Sequence, residues 1–134
     1  MTTAVDTNVL LDVFNVKSAD PVAAIQAIAE AVSDGTAIIS EIVYAEIAAG
    51  FESRERLDAT LDDLGVQVRP LGRAAAYAAG QIFASYRRRG GLRHHILADF
   101  LIAAHAAEHA DRLLTRDRGF YGTHFPDLRL MAPA

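Results

Sequence analysis

The chain has 134 residues, a net charge of −4 and no cysteine, which excludes disulfide scaffolds, thiol nucleophiles and thiolate metal sites. Apolar residues make up 51% and charged residues 22%, a balance typical of a soluble globular protein, and we expect one domain over residues 1–134. No apolar stretch approaches the roughly 18 residues that a membrane helix needs, and residues 1–3 lack secretory-signal features. We therefore expect a cytoplasmic protein with no membrane partner.

The basic residues are almost all arginine. Lysine and arginine together number 13, and Lys17 is the only lysine. Because the arginine fork matches phosphate oxygens, a negative total charge does not exclude a nucleic-acid partner.

Apolar spacing, caps and glycines predict short strands that alternate with helices. Asp20 and Pro21 indicate a helix start, and Gly35 is expected to end that helix in a left-handed conformation. Ser40 is expected to cap a helix that closes at Gly50. In chain order the predicted elements are a strand at 3–5, helices at 8–14 and 21–34, a strand at 36–39, helices at 41–49 and 54–64, a strand at 66–68, helices at 73–88 and 97–110, a strand at 112–115, a short turn or helix after 117, and a strand near 128–130.

This alternation predicts an α/β fold of βαβ units. We expect three α/β/α layers around a mostly parallel sheet of about four to five short strands. In such sheets the binding crevice lies beyond the C-terminal ends of the strands. Side chains that directly follow a strand are therefore candidate site residues.

Four carboxylates interrupt apolar segments in a way that solvated acidic residues do not. Asp6 and Asp117 follow strands, whereas Asp99 and Glu46 fall in the early parts of predicted helices. An ionised carboxylate in an apolar environment costs several kcal/mol unless it is paired, hydrogen-bonded or bound to a metal. If the first and fourth strands are neighbours, the four groups converge, and oxygen-only ligands favour Mg²⁺ or Mn²⁺. Taken singly, three of them could instead be helix caps or dipole partners.

The same segments resemble a known family. The sequences DTNVL from residue 6, Ser40 with Glu46 and Gly50, ADFLIAA from residue 98 and TRD from residue 115 are similar, in order and spacing, to the four blocks of a PIN domain, and most of all to the VapC-type ribonuclease toxins. The resemblance implies an Mg²⁺-dependent endoribonuclease that is inhibited by a cognate VapB-like antitoxin. The matching positions are Asp6, Glu46, Asp99 and Asp117 for the acidic site, with Asn8 and Thr115 in support.

The roles that fit phosphodiester cleavage differ among these acids. We expect Asp6 and Asp99 to be direct metal ligands, and Asp117 to bind through water or to hold a second ion. Glu46 would orient or deprotonate the attacking water. The expected partners are an RNA substrate, the antitoxin and a second copy of the chain.

A basic segment precedes the helix that carries Asp99. Its arginines could hold RNA phosphates beside the metal, although arginines at a helix end also favour the helix dipole. The candidate RNA-binding residues are Arg87, Arg88, Arg89 and Arg93.

Three alternatives remain open from the residues alone. His105, Glu108 and His109 fit the H-x-x-E-H pattern of a zinc peptidase, or else belong to an exposed helix. A receiver-type signalling module would need a lysine after its fifth strand, which the position of Lys17 does not supply. A catalytically inactive PIN-like binding module is the third alternative, because sequence does not establish turnover.

Overall fold

The computed structural model describes residues 1–14, 20–91 and 96–134. Over this part of the chain it has seven helices and five strands. In order they are β1 (Thr2–Val5), α1 (Thr7–Phe14), α2 (Pro21–Asp34), β2 (Thr36–Ile39), α3 (Glu41–Ala48), α4 (Arg54–Leu64), β3 (Val66–Val68), α5 (Gly72–Arg88), α6 (Leu97–His109), β4 (Arg112–Leu114), α7 (Arg118–His124) and β5 (Leu130–Met131).

The described strands form a single parallel sheet in the order β3-β2-β1-β4-β5. The predicted α/β class, with helices around a mostly parallel sheet, is thus confirmed. The last strand overlaps its predicted position near 128–130 only at Leu130, because its pairing with β4 places Leu130 opposite Leu113 and Met131 opposite Leu114.

Side-chain caps start several helices where the sequence predicts them. Asp20 accepts the backbone N–H of Ala23 at 3.0 Å, directly before Pro21. Ser40 accepts the N–H of Val43 at 3.4 Å in the same way. Each cap satisfies a backbone donor that the first helical turn leaves unpaired.

The end of α2 differs from its prediction. Gly35 has φ 157° and ψ −116°, which is not the left-handed helical cap that was expected. The reason for glycine lies instead in a close approach of backbone, since a Cβ at this position would overlap the carbonyl oxygen of Met1. The N–H of Thr36 donates to that same oxygen at 2.9 Å, so the close approach starts the pairing of β1 with β2.

The sheet order brings the ends of β1 and β4 together. These strands are paired in parallel, with Val5 opposite Leu114, as the expected convergence of carboxylates requires. The N–H of Asp6 donates to the carbonyl of Leu114 at 2.9 Å, which extends the pairing to the first residue beyond β1. Asp6 and Thr115 therefore follow neighbouring strands at the same edge.

An aromatic cluster supports α6 and α7 beneath this edge. Phe100, which is fully buried, has its ring 5.3 Å from that of Phe120 and 5.2 Å from those of Phe83 and Tyr86. These rings link α5, α6 and α7, so the helices that present the candidate acids share one rigid contact region. In the described part of the chain, no helix has the length and apolarity that crossing a bilayer requires.

Candidate active site

Asp6 is the most buried of the four candidate acids, with 5% of its surface exposed. Its Oδ1 accepts the backbone N–H of Thr7 at 2.7 Å, and its Oδ2 accepts the Thr115 hydroxyl at 2.7 Å. Burial raises the pKa of Asp6 above its ordinary value, and the charge of Asp99 raises it further, against the lowering effect of these hydrogen bonds. The carboxylate is thus held in a fixed orientation by uncharged donors.

Thr115 connects the ends of β1 and β4. Besides donating to Asp6, its hydroxyl oxygen accepts the N–H of Asp117 at 2.9 Å and the side-chain amide of Asn8 at 3.5 Å. The amide oxygen of Asn8 in turn accepts the N–H of Arg116 at 3.2 Å. Asn8 is therefore linked to Asp6 through Thr115, and the supporting role of both residues stays a prediction.

Asp99 and Asp117 approach the same edge from two helices. Asp99 lies in the first turn of α6, where its Oδ2 accepts the N–H of Ile96 at 3.0 Å. Asp117 caps α7 through the N–H of Phe120 at 3.4 Å. Asp117 is exposed and Asp99 half-buried. The expectation that all four acids lie in apolar surroundings is therefore wrong for Asp117.

The expectation is also wrong for Glu46. It lies in the last turn of α3 rather than early in the helix, and it is exposed, because it lies outside the buried face that Val43 and Ile47 form. Thr7 donates its hydroxyl to Oε1 of Glu46 at 2.6 Å, which ties α3 to the residue directly after Asp6. Thr7 was not among the predicted site residues, although its place between Asp6 and Asn8 is a positional signal.

Tyr121 of α7 was not predicted as a site residue either. It is 2% exposed, and its phenol lies within the electrostatic influence of Asp6. Burial raises the pKa of Tyr121, and the charges of Asp6, Asp99 and Asp117 add to that effect. In sequence Tyr121 is one aromatic residue among several, so no pattern distinguishes it. The charges of three of the four acids therefore act on one buried phenol.

The donor chemistry of this site fits a hard divalent cation. Asp6 and Asp99 repel each other electrostatically, and their oxygens are the ligands that Mg²⁺ prefers. As they stand, however, no three His, Asp or Glu side chains within residues 1–14, 20–91 and 96–134 are close enough to hold one metal ion together. The interactions therefore connect Asp6 with Asp99 through the repulsion of their charges and connect Glu46 with Thr7, the residue after Asp6, while the convergence of all four acids stays a prediction.

The candidate RNA-binding arginines lie at the end of α5. Arg87 and Arg88 form its last turn and Arg89 follows it, all three exposed, with the guanidinium of Arg87 5.9 Å from the ring centre of Phe83. Arg93 lies outside the described residues.

The histidines of the H-x-x-E-H pattern have structural partners. His105 Nε2 lies 2.8 Å from the carbonyl of Arg69, and His109 Nε2 lies 2.7 Å from that of Leu71, so each ring donates from this nitrogen. His105 is 1% exposed, which also corrects the expectation of an exposed helix. Because both nitrogens face carbonyl oxygens, the geometry does not favour a zinc site formed with Glu108.

Comparison with known proteins agrees with this fold. The sequence matches the PIN domain family over residues 3–126. The chain therefore belongs to the PIN domain family. No curated protein sequence matches it significantly.

Solved structures with the same fold come from toxin–antitoxin complexes. The chain superposes on VapBC2 from Rickettsia felis, bound to a promoter DNA fragment, with a TM-score of 0.74, 23% identity and 98% of each chain covered. For VapBC-1 from nontypeable Haemophilus influenzae the values are 0.72, 22% and 98% of each chain. For FitAcB from Neisseria gonorrhoeae they are 0.68, 20%, and 98% of this chain against 97% of that one.

Proposed function

We propose that this chain is a single nuclease domain, a Mg²⁺-dependent endoribonuclease that acts in the cytoplasm as the VapC-type toxin of a toxin–antitoxin pair. The observation that carries the proposal is the buried Asp6 carboxylate, held by uncharged donors beside Asp99 at the C-terminal edge of a PIN-domain sheet. Uncharged donors orient the carboxylate without forming an ion pair with it, as a site for a cation requires.

The residues have distinct roles in this proposal. Asp6 and Asp99 would hold the divalent ion, with Asp117 at its periphery. When bound, the ion supplies charge neutralisation of the phosphoryl group and activation of the attacking water. Glu46, held through Oε1 by Thr7, would orient that water with its second oxygen and accept its proton.

RNA needs positive charge as well as a metal. The exposed arginines Arg87, Arg88 and Arg89 end the helix that packs against α6, which carries Asp99 in its first turn. We assign them to the sugar–phosphate backbone, because exposed guanidinium groups bind phosphates without regard to base sequence.

An apolar groove offers a surface for the antitoxin. It has a volume of about 570 Å³ and is lined by Leu11, Phe14, Ile47, Gly50, Phe51 and Thr60. Leu11 is 45% exposed, and an exposed apolar surface of this kind is typical of a docking site. The solved structures of the same fold contain VapBC and FitAcB assemblies, which supports a VapB-like partner here. We also propose a homodimer, to be tested by light scattering on the purified chain.

Cleavage of labelled RNA in Mg²⁺, Mn²⁺ or EDTA tests the activity. We expect cleavage with either ion, none in EDTA, and loss of cleavage in Asp6→Asn and in Asp99→Asn. Undiminished cleavage by either variant would contradict the assigned ligands.

Expression in cells tests the biological role. We expect growth arrest when the chain is expressed alone, rescue by co-expression of the small protein encoded beside it, and no arrest with Asp6→Asn. RNA binding without cleavage under every metal condition would instead indicate the inactive binding module.

A further inference from the structure

A surface cavity lies between the C-terminal ends of α5 and α7, and the proposed nuclease chemistry does not yet use it. It has a volume of about 320 Å³ and is lined by Tyr86, Arg89, Gly91, Thr123 and His124. Sites for small molecules begin at about 300 Å³, so the cavity is large enough for one nucleotide base. Of the described residues that line it, none is acidic. The lining therefore suits a polar or negatively charged ligand.

A pair of glycines fixes the wall on the side of α5. Gly90 has φ 74°, in the left-handed region, and its N–H donates to the carbonyl of Arg87 at 3.1 Å. The N–H of Gly91 donates to the carbonyl of Tyr86 at 2.9 Å, which completes a helix-ending motif of two hydrogen bonds. Gly91 lies so close to the ring of Tyr86 that a Cβ would be 2.5 Å from three ring atoms. This packing fixes the backbone that carries Arg89 at the edge of the cavity.

The last turn of α7 forms the opposite wall. The ring of His124 lies edge-on to that of Tyr86 at 5.1 Å and lies 5.0 Å from that of Phe120, so packing fixes the imidazole. The hydroxyl of Thr123 donates to the carbonyl of Gly119 at 2.8 Å, which leaves its oxygen as an acceptor. Together with the arginine on the other side, these groups supply both donors and acceptors of hydrogen bonds.

The cavity lies close to two of the candidate acids. Phe100 directly follows Asp99 in the sequence, and its ring lies 5.2 Å from that of Tyr86 and 5.9 Å from that of His124. Asp117 caps the start of α7 and His124 ends it, about 10 Å apart along the helix at about 1.5 Å per residue. An RNA strand that lies at the acids therefore reaches the cavity within a few nucleotides.

The groups in the cavity can do what the arginines assigned above do not. Single-stranded RNA is recognised mainly through its unpaired bases, whose edges form hydrogen bonds with side chains. Contacts to phosphates hold the strand but carry no information about the base. The hydroxyl of Thr123 and the imidazole of His124 are groups that can distinguish one base edge from another.

We propose that this cavity binds one nucleotide of the RNA near the cleaved bond, with Arg89 on its phosphate and with Thr123 and His124 on the edge of its unpaired base. The inference rests on the proposed function and adds a site of base preference to it. Because Thr123 and His124 contact a base and not the reacting phosphate, they determine which RNA sequences are cleaved.

Cleavage of a pool of single-stranded RNAs of randomised sequence, mapped at each nucleotide around the cut, tests the proposal. Thr123→Val removes the hydroxyl and keeps the shape of the side chain, and His124→Phe keeps a ring against Phe120. We expect wild type to prefer one base within a few nucleotides of the cut, and this preference to fall about fivefold in each variant, because each loses a hydrogen bond to the base. Ser33→Ala is the matched control, since Ser33 is an exposed hydroxyl in the second-last position of α2, as Thr123 is of α7. A wild type without base preference, or an unchanged preference in both variants, would overturn the proposal.

NMR of the histidine rings tests the contact without altering the cavity. With Asp6→Asn in EDTA to prevent cleavage, addition of the same RNA pool should shift the ring resonances of His124. Those of His109 should stay unchanged, because its ring is bound to the carbonyl of Leu71 at 2.7 Å. Unshifted His124 resonances at saturating RNA would contradict the inference.

The two experiments separate the inference from the proposed function. If wild type cleaves RNA in Mg²⁺ with a base preference that Thr123→Val and His124→Phe leave unchanged, the nuclease stands and only the role of the cavity fails. If RNA shifts the His124 resonances but wild type never cleaves it, the cavity binds RNA and the nuclease activity fails. If the chain neither binds nor cleaves RNA, both fail together.

Discussion

The two ends of α6 carry polar clusters of opposite kinds. Near its N-terminal end, the charge of Asp99 repels that of the buried Asp6 carboxylate. In its C-terminal half, His105 and His109 each meet a backbone carbonyl of the segment between β3 and α5. One helix therefore contains both a carboxylate repelled by a second carboxylate and two histidines that are paired with backbone carbonyls.

The second cluster is a network of hydrogen bonds between secondary-structure elements. The guanidinium of Arg69 donates to the carbonyl of His109 at 3.2 Å, and the N–H of Leu71 donates to Glu41 of α3 at 2.9 Å. Donors and acceptors are paired across three elements, which is the pattern of a structural polar cluster. At the acidic edge, the charges of Asp6 and Asp99 instead repel each other, which is typical of a ligand site. We therefore expect substitutions at the two ends to affect different properties.

Asp6→Asn should give the largest effect on activity. We expect metal-dependent RNA cleavage to fall by roughly 10³-fold, since a lost metal ligand removes several kcal/mol of transition-state stabilisation. Without metal, the folded protein should become more stable near neutral pH, because the amide removes a buried charge whose pKa burial raises. Thermal unfolding in EDTA measures the second effect. If the metal-free variant is less stable than metal-free wild type, the inference that the charge of Asp6 destabilises the fold is wrong.

His105→Ala should give the reverse pattern. We expect the free energy of unfolding to fall by about 2–4 kcal/mol, because a buried ring and its hydrogen bond to Arg69 are both removed. Activity per folded molecule should change little. Urea denaturation measures the decrease, and Glu108→Ala, on the exposed face of the same helix, should stay within about 0.5 kcal/mol of wild type.

Lowering the pH should weaken this hydrogen-bond network through His105. Burial lowers its pKa below the ordinary 6.5, with the neighbouring His109 and Arg69 adding to the effect and Glu41 and the carbonyl of Arg69 opposing it. Below pH 6.5 the unfolded chain therefore binds a proton that the folded chain does not, so stability falls as pH drops from 6.5 toward the lowered pKa. Urea unfolding between about pH 7.5 and about pH 5 measures this slope. His105→Gln, which keeps an N–H donor but does not titrate, should flatten it.

The smallest effect concerns the arginines at the end of α5. Replacing Arg87, Arg88 and Arg89 with alanine should weaken RNA binding and reduce the slope of log affinity against log salt by about 0.7 for each RNA phosphate that is no longer neutralised. Binding to a single-stranded RNA at several salt concentrations, using Asp6→Asn to prevent cleavage, measures the slope. Arg73→Ala with Arg129→Ala, two exposed arginines elsewhere, is the control, and an equal change there would mean that only total charge matters.

The sequence predicted best those features that depend on interactions between residues close together in the chain. The caps at Asp20 and Ser40 are short-range hydrogen bonds that the neighbouring residues specify, so the helix starts were predictable. Asp6 was recognisable because a carboxylate at the end of an apolar strand is unusual. Glu46 was misjudged because apolar neighbours along the chain do not reveal which side of a helix a residue occupies. His105 was misjudged for the same reason.

The amino-acid sequence by itself determined the alternation of strands and helices, and the positions of the acids relative to strand ends. Tertiary structure alone decided that β1 lies between β2 and β4, and that the Thr115 hydroxyl donates to Asp6 across more than a hundred residues of chain. The reason is the range over which the interactions act along the chain. Caps and periodicity act within a few residues, whereas strand order and the meeting of buried side chains follow from packing the whole chain around one core.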